Sequence, residues 1–382
     1  MKDNTDQRIL IFTTSTEKNG TAKLRDTVAE EIPDQFTAIR SYTGFLLTLL
    51  FRRNKIKAVF ALSNIHFVLA LYFTRKLRIR VPVVLGMYHP NQWKIYLSDR
   101  VSRTRSRIFK NLVGQLTHDS IIHSSKEGVE ATNRYCGITT GTPTILQGPA
   151  EILPFVKEII PGQEEIRIVT IGRLVDFKTC TIISMIDAIE KLVLDRGMRI
   201  TYDIYGNGPS QNKLAERIQN SPINDKITLH SFVPKEEYLS TVIRYDLFYG
   251  MAGALILAAS AGVPSLVAIQ EEESGVSYGF ISDYDQEQNP IFGDRSKFAV
   301  ERPLEESILY YSRLTDDEKR ILSRNCSHAT SSYSTESTKL RLVQKINAAP
   351  RINVNGLSLF DFFRMFWEIR QSNARGITDE HT

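Results

Sequence analysis

Ile168-Val-Thr-Ile-Gly-Arg-Leu-Val-Asp-Phe-Lys178 is a short β-branched run that ends in Gly172-Arg173, with a lysine five residues beyond the arginine. A short, largely apolar run, closed by glycine and followed by helical spacing, reads as a buried parallel strand feeding a crossover helix. Downstream the alternation continues. Helix is expected over Thr179–Arg196, strand over Ile200–Tyr205, helix over Gln211–Gln219, strand over Ile227–Ser231, helix over Lys235–Arg244, strand over Leu247–Met251, helix over Gly253–Ala261 and strand over Ser265–Ile269. Upstream, strand candidates at Arg8–Thr14, Gln35–Arg40, Ala58–Ser63, Val81–Tyr88 and Ser120–Ser124 are separated by segments long enough to be helices. Strands alternating with helices predict an α/β chain with two mostly parallel, doubly wound sheets. Between them, Pro143, Gly148, Pro149, Pro154, Pro161 and Gly162 punctuate a stretch with little periodicity, which reads as the linker.

The expected organisation is a first Rossmann-like domain over 1–160, a second over 161–335, and C-terminal helices over 336–382 that cross back to the first domain. Leu359, Phe362, Phe363 and Phe366 recur at helical spacing in that last segment, a stripe too apolar to remain exposed. In open α/β sheets ligands bind outside the carboxyl ends of the strands, so the first expectation is a ligand between two domains that face each other across a cleft.

At 382 residues, with 42% hydrophobic and 24% charged residues, the composition is that of a globular chain and excludes a disordered one. Three cysteines, none in a C-x-x-C pair, exclude a disulfide framework and a thiolate metal site and fit the cytosol. The N-terminus lacks the order of a signal peptide, and the most apolar stretch, Ala58 to Phe73, is shorter than a bilayer span. Net charge is uneven. Residues 1–160 hold 23 Lys and Arg against 13 Asp and Glu, and the remainder holds 25 against 30. A basic half suits nucleic acid, an anionic lipid surface or a phosphorylated substrate. No helix-turn-helix, zinc finger or RNP-like strand is recognisable, so nucleic acid is not expected as a partner.

Three segments carry chemistry. Arg173 and Lys178 offer a fork and a point charge to one pyrophosphate, with Gly172 permitting close backbone approach; by spacing alone they read equally as solvated charges at a strand–helix junction. Tyr205-Gly-Asn-Gly-Pro209 is a turn whose glycines, Gly206 and Gly208, would permit positive φ and leave a binding wall open; alone it reads equally as a plain turn with no function. The turn from Gly250 through Met251 and Gly253 to Ala254 presents backbone N–H groups at a helix N-terminus, which suits an anion.

In this order the segments resemble the donor domain of retaining GT-B glycosyltransferases of the family-4-like group that builds bacterial polysaccharides, O-antigen and lipopolysaccharide. The likeness covers about residues 165–270, and the first half only in layout. The family's Gly-Arg-Leu…Lys is matched by Gly172, Arg173, Leu174 and Lys178. Its Gly-x-Gly-Pro is matched by Gly206, Asn207, Gly208 and Pro209, and its Ala-x-x-x-Gly-x-Pro by Ala258 to Pro264. The resemblance implies a nucleotide-sugar donor held by these residues together with Met251, Gly253, Ala254 and Leu257. It implies catalysis by Arg173 and Lys178 with a cleft histidine, for which His89 stands in the corresponding region or is a loop histidine with no role. Neither a metal nor a cofactor is implied. Two positions depart from the family: Tyr249 and Leu257 occupy the places of its paired glutamates, and a leucine accepts no hydrogen bond from a ribose. Either another group in Glu271 to Glu273 takes over as acceptor, or the donor is held differently, or activity is reduced.

The function implied is transfer of a sugar to a lipid-linked or polysaccharide acceptor. The alternatives are a catalytically silent partner subunit of an assembly complex and a nucleotide-sugar epimerase. Basic clusters at Arg52, Arg53, Lys55 and Lys57, at Arg75 to Arg80, and at Arg100, Arg103, Arg105, Arg107 and Lys110 are each a solvated surface or, taken together, acceptor or membrane contacts of a cytoplasmic, peripherally attached protein. The apolar run Phe45 to Phe51 beside the first cluster is either core or part of that surface.

Overall fold

The computed structural model describes residues 7–13, 25–26, 28–30, 33–87, 93, 110, 112–146, 150–284, 290–291, 293 and 299–352. His89, Arg100, Arg103, Arg107 and the apolar stripe from Leu359 to Phe366 lie outside the described residues. Contacts divide the chain into two units, Met1–Pro149 with Thr335–Thr382, and Ala150–Ser334.

The first unit is built on a six-stranded sheet of β1 (Arg8–Phe12), β2 (Phe36–Ile39), β3 (Ile56–Ala61), β4 (Val83–Met87), β5 (Ile121–His123) and β6 (Thr144–Ile145), in the order β2-β1-β3-β4-β5-β6. All its pairings are parallel. β4 is buried along its whole length, as a sheet covered on both faces requires. Helices Tyr42–Phe51 and Asn64–Lys76 pack on one face through Phe45, Leu49, Phe67 and Leu71. On the other face, Leu342 and Ile346 of helix Thr335–Ala348 join a cluster with Ile9, Ile11, Ala58 and Phe60. The end of the described chain therefore packs with the beginning.

The second unit carries β7 (Ile166–Ile171), β8 (Ile200–Tyr205), β9 (Ile227–His230), β10 (Leu247–Gly250) and β11 (Ser265–Val267), all parallel in the order β11-β10-β7-β8-β9. This is a doubly wound sheet whose strand order reverses between β7 and β10. The helix expected from Thr179 starts at Asp176, so Lys178 sits in its first turn rather than in the loop before it. The segment Lys235–Arg244 splits into a 3-10 turn, Lys235–Glu237, and a short helix, Tyr238–Val242.

Residues 150–160 are not a free linker. The N–H groups of Val156 and Lys157 both donate to Ala261 O, at 3.2 and 3.0 Å, and the Lys157 side chain, 2% exposed, lies 3.4 Å from Asp246. Asp246 also holds Arg167, at 3.1 Å. A buried lysine needs such a partner, and this one anchors the segment to the second unit ten residues before the boundary expected at 160.

Candidate functional site

The switch point between β7 and β10 is an open recess of about 350 Å3 in the second unit. Gly172, Arg173, Leu174 and Lys178 line it from the end of β7, Tyr249, Gly250 and Met251 from the end of β10. Thr170 and Thr181, with Ile171 and Ile182, complete the wall. The sequence reading missed both threonines, because a threonine in a strand or helix carries no signature of its own.

Arg173 is exposed and Lys178 half-buried. Among the described residues, neither has a side-chain hydrogen bond or ion pair. Burial pushes the Lys178 ammonium below its usual pKa. Its Nζ lies 5.8 Å from the Phe177 ring centroid, and a Cβ built on Gly172 would stand 3.9 Å from it. An amine that has lost water without gaining a carboxylate favours an anionic ligand, which would restore the lost solvation and hold the proton.

In the Gly206–Pro209 turn the glycines meet a different backbone requirement from the one expected. Neither Gly206 nor Gly208 has positive φ. Both are glycine because two backbones meet: a Cβ on Gly206 would lie 1.9 Å from Gly172 O, and one on Gly208 2.0 Å from Leu174 O. Gly172 N donates to Tyr205 O (2.9 Å), Leu174 N to Asn207 O (3.1 Å) and Ser210 N to Leu174 O (3.2 Å). Ser210 Oγ then donates to Asp176 Oδ1 at 2.6 Å, in the first turn of the helix that carries Lys178. The turn is a brace that fixes the cation-bearing loop. Asn207 and Pro209 are exposed on it.

Met251 is the extended N-cap of helix Ala252–Ser260 and makes no side-chain cap. Ala252 holds φ +56, a conformation that costs a non-glycine residue on the order of 1 kcal/mol and must be imposed by its surroundings. Gly253 is exposed and Ala254 and Leu257 half-buried, three positions on one helical face, whereas Leu255, Ile256, Ala258 and Ala259 face the core. Leu257 thus shares the open face of this helix. Tyr249 does not: it is 1% exposed, and burial raises its phenol well above the usual range. Of the substitute acceptors, Glu272 is fully buried and accepts from Ser274 N and Oγ. Glu271 and Glu273 are exposed, and Glu271 N donates to Phe177 O (2.9 Å), which holds this run beside the helix bearing Lys178.

A second polar group escaped the sequence reading. Asp203 accepts from Tyr245 OH (2.6 Å) and pairs with His230 (2.9 Å), whose ring stacks on Tyr205 at 4.2 Å. These residues come from β8, β9 and the segment before β10, so no local motif announces them. In the first unit, the basic residues Arg52, Arg53, Lys55 and Lys57 are all exposed. Phe45 and Leu49 beside them are core, whereas Leu47, Leu50 and Phe51 point outward.

Among the described residues no group of three His, Cys, Asp or Glu side chains is placed to hold a metal ion, and no helix is long and apolar enough to cross a membrane.

No protein-family model matches the chain, and none of the curated proteins does. Solved structures do. HepE from Anabaena, determined with UDP, aligns over 90% of this chain and 100% of its own at 12% identity and a TM-score of 0.55. A glycosyltransferase from Rickettsia africae aligns over 89% and 98% at 12% identity and a TM-score of 0.56. A TarM mutant from S. aureus covers 80% of this chain at 13% identity and a TM-score of 0.48, too loose a likeness to support an argument; this chain spans 58% of its length. The fold is therefore GT-B, two Rossmann-like parallel-sheet domains, and it matches that of glycosyltransferases.

Proposed function

We propose that the chain is a retaining glycosyltransferase that moves a sugar from a nucleotide diphosphate donor to a lipid-linked or polysaccharide acceptor, in the assembly of a bacterial surface glycan such as O-antigen. The observation that carries this reading is a pair of cations, Arg173 and Lys178, that have no anionic partner among the described residues, at the switch point of a sheet with this fold. When the glycosidic bond to the donor breaks, negative charge develops on the leaving diphosphate. Two fixed cations beside it stabilise that charge without a metal. Gly172 lets the phosphates approach the backbone, and the N–H groups of Gly253 and Ala254, in the first turn of helix Ala252–Ser260, offer them hydrogen bonds. We assign His89 the sugar-side role in the catalytic set. The UDP in the HepE structure makes a uridine nucleotide the first donor to try. The protein works at the inner face of the plasma membrane, in peripheral contact with its anionic surface through the basic first unit, where Arg52, Arg53, Arg100, Arg103 and Arg107 meet the acceptor or the lipid.

The experiment is protection of the purified chain against heat or proteolysis by a panel of nucleotides and nucleotide sugars. Protection by one nucleotide, lost in Arg173→Ala and Lys178→Ala, supports the reading. No protection by any of them, or unchanged protection in both variants, overturns it. Leu257, apolar on the open helix face, favours one other reading, a catalytically silent partner subunit; turnover of a nucleotide sugar with acceptor extract refutes it. An epimerase would give product with no acceptor at all.

A further inference from the structure

Arg8, Arg52 and Lys55, with the hydroxyls of Thr37 and Thr48, surround a recess of about 610 Å3 in the first unit, lined at its buried side by Leu10 and Ile56. It opens where the strands begin: Arg8 and Ile56 are the first residues of β1 and β3, and Arg52 directly follows helix Tyr42–Phe51. In a parallel sheet every segment entering a strand lies along one edge. Arg75, Lys76, Arg78 and Arg80, which lead toward β4, therefore share that edge, and all four are exposed. The acidic residues leading into its strands, among those described, are Asp34 and Asp119, the latter 3.8 Å from Lys345. Neither Arg8 nor Arg52 has a side-chain hydrogen bond or ion pair among the described residues. On the last two turns of the adjoining helix, Leu47, Leu50 and Phe51 are 51%, 51% and 79% exposed. No acidic residue occurs between Ser41 and Lys57.

Large apolar side chains exposed beside a dense cationic edge match the interfacial region of an anionic bilayer, in which headgroup phosphates lie directly above acyl chains. The carboxyl ends of the strands, where such sheets bind soluble ligands, are at the opposite edge. We propose that this edge is the membrane-docking face, with a lipid phosphate lodged between Arg8 and Arg52 while Leu47, Leu50 and Phe51 enter the acyl boundary. The assignment rests on the peripheral contact proposed above and narrows it to one face.

Co-sedimentation of the full chain with vesicles of phosphatidylcholine, and of phosphatidylcholine mixed with phosphatidylglycerol, tests it. The chain is expected to pellet with the anionic vesicles alone. Arg8→Ser should lower the partition coefficient about five-fold, and Phe51→Ser about ten-fold. Both side chains are exposed, so both variants keep the fold. Equal pelleting with neutral vesicles overturns the phosphate site, and anionic binding untouched by either substitution overturns the face. Binding to neither vesicle overturns the proposal as a whole. Nucleotide protection measured on the same samples separates the two readings: protection without pelleting sinks the docking face alone, whereas pelleting without protection sinks the donor site and leaves the face standing.

Discussion

Replacing Gly206 by alanine puts a methyl carbon 1.9 Å from Gly172 O, 3.1 Å from Gly172 C and 3.2 Å from the Leu174 side chain. Ordinary contact to that oxygen starts at about 3.4 Å, so the two loops must part by roughly 1.5 Å. No side-chain rotation relieves the clash, because the obstacle is backbone. A separation of that size breaks the bonds Gly172 N to Tyr205 O and Leu174 N to Asn207 O, now 2.9 and 3.1 Å. At about 1 kcal/mol net for each, with about 1 kcal/mol of residual strain, Gly206→Ala should destabilise the second unit by about 2–4 kcal/mol. The control is Gly253→Ala, whose new Cβ meets nothing within 4 Å; in a helix it should be neutral or stabilise by up to about 1 kcal/mol. Urea unfolding of both variants, followed by circular dichroism, reads the difference. The brace also aims the loop of Arg173 and the first turn holding Lys178, so Gly206→Ala should weaken nucleotide protection even at temperatures where it is folded. If Gly206→Ala proves as stable as the parent chain, close backbone approach is not what requires glycine there, and the brace is wrong.

Lys178 is held below its ordinary pKa by burial, so nucleotide affinity should decline as pH rises through that lowered value, since only the protonated amine attracts phosphate. In Lys178→Arg the decline should vanish over the same range; isothermal titration against pH checks it, and an unaltered profile would remove Lys178 from the site. Leu257→Glu places a carboxylate on the open face of helix Ala252–Ser260 and should tighten nucleotide binding by about one to two decades through a ribose hydrogen bond; unchanged affinity would show that the ribose lies elsewhere. In the first unit burial holds His66 at about 4, and burial, aided by His118 and Lys345, holds His123 at about 3. Both bases are depressed, so the unfolded chain binds more protons below about pH 6.5, and stability should fall from there toward each folded value. At pH 5 the loss is about 2 kcal/mol per histidine, and denaturant midpoints that match at pH 7 and pH 5 would contradict it.

Ile200–Tyr205 and Gln211–Gln219 were legible to the residue, because periodicity and turn residues are local consequences of which side chains a strand or helix buries. The same holds for the recurring strand–helix alternation that predicts two doubly wound sheets, and for Gly172, Arg173 and Lys178 as a candidate anion site. Strand order was not legible. Only the placement of β10 beside β7 brings Met251 and Gly250 to the same recess as Lys178, residues more than seventy positions apart. The glycines of the Gly206 turn were visible in sequence, but their reason was not, since a close approach between two backbones has no local signature and positive φ was the nearer explanation. Likewise Phe45 and Phe51 are indistinguishable in a run of apolar residues until packing turns one into the core and leaves the other facing solvent beside Arg52. Local chemistry follows from the chain, and convergence follows from topology, because side chains far apart in sequence meet only where the sheet brings their strand ends together.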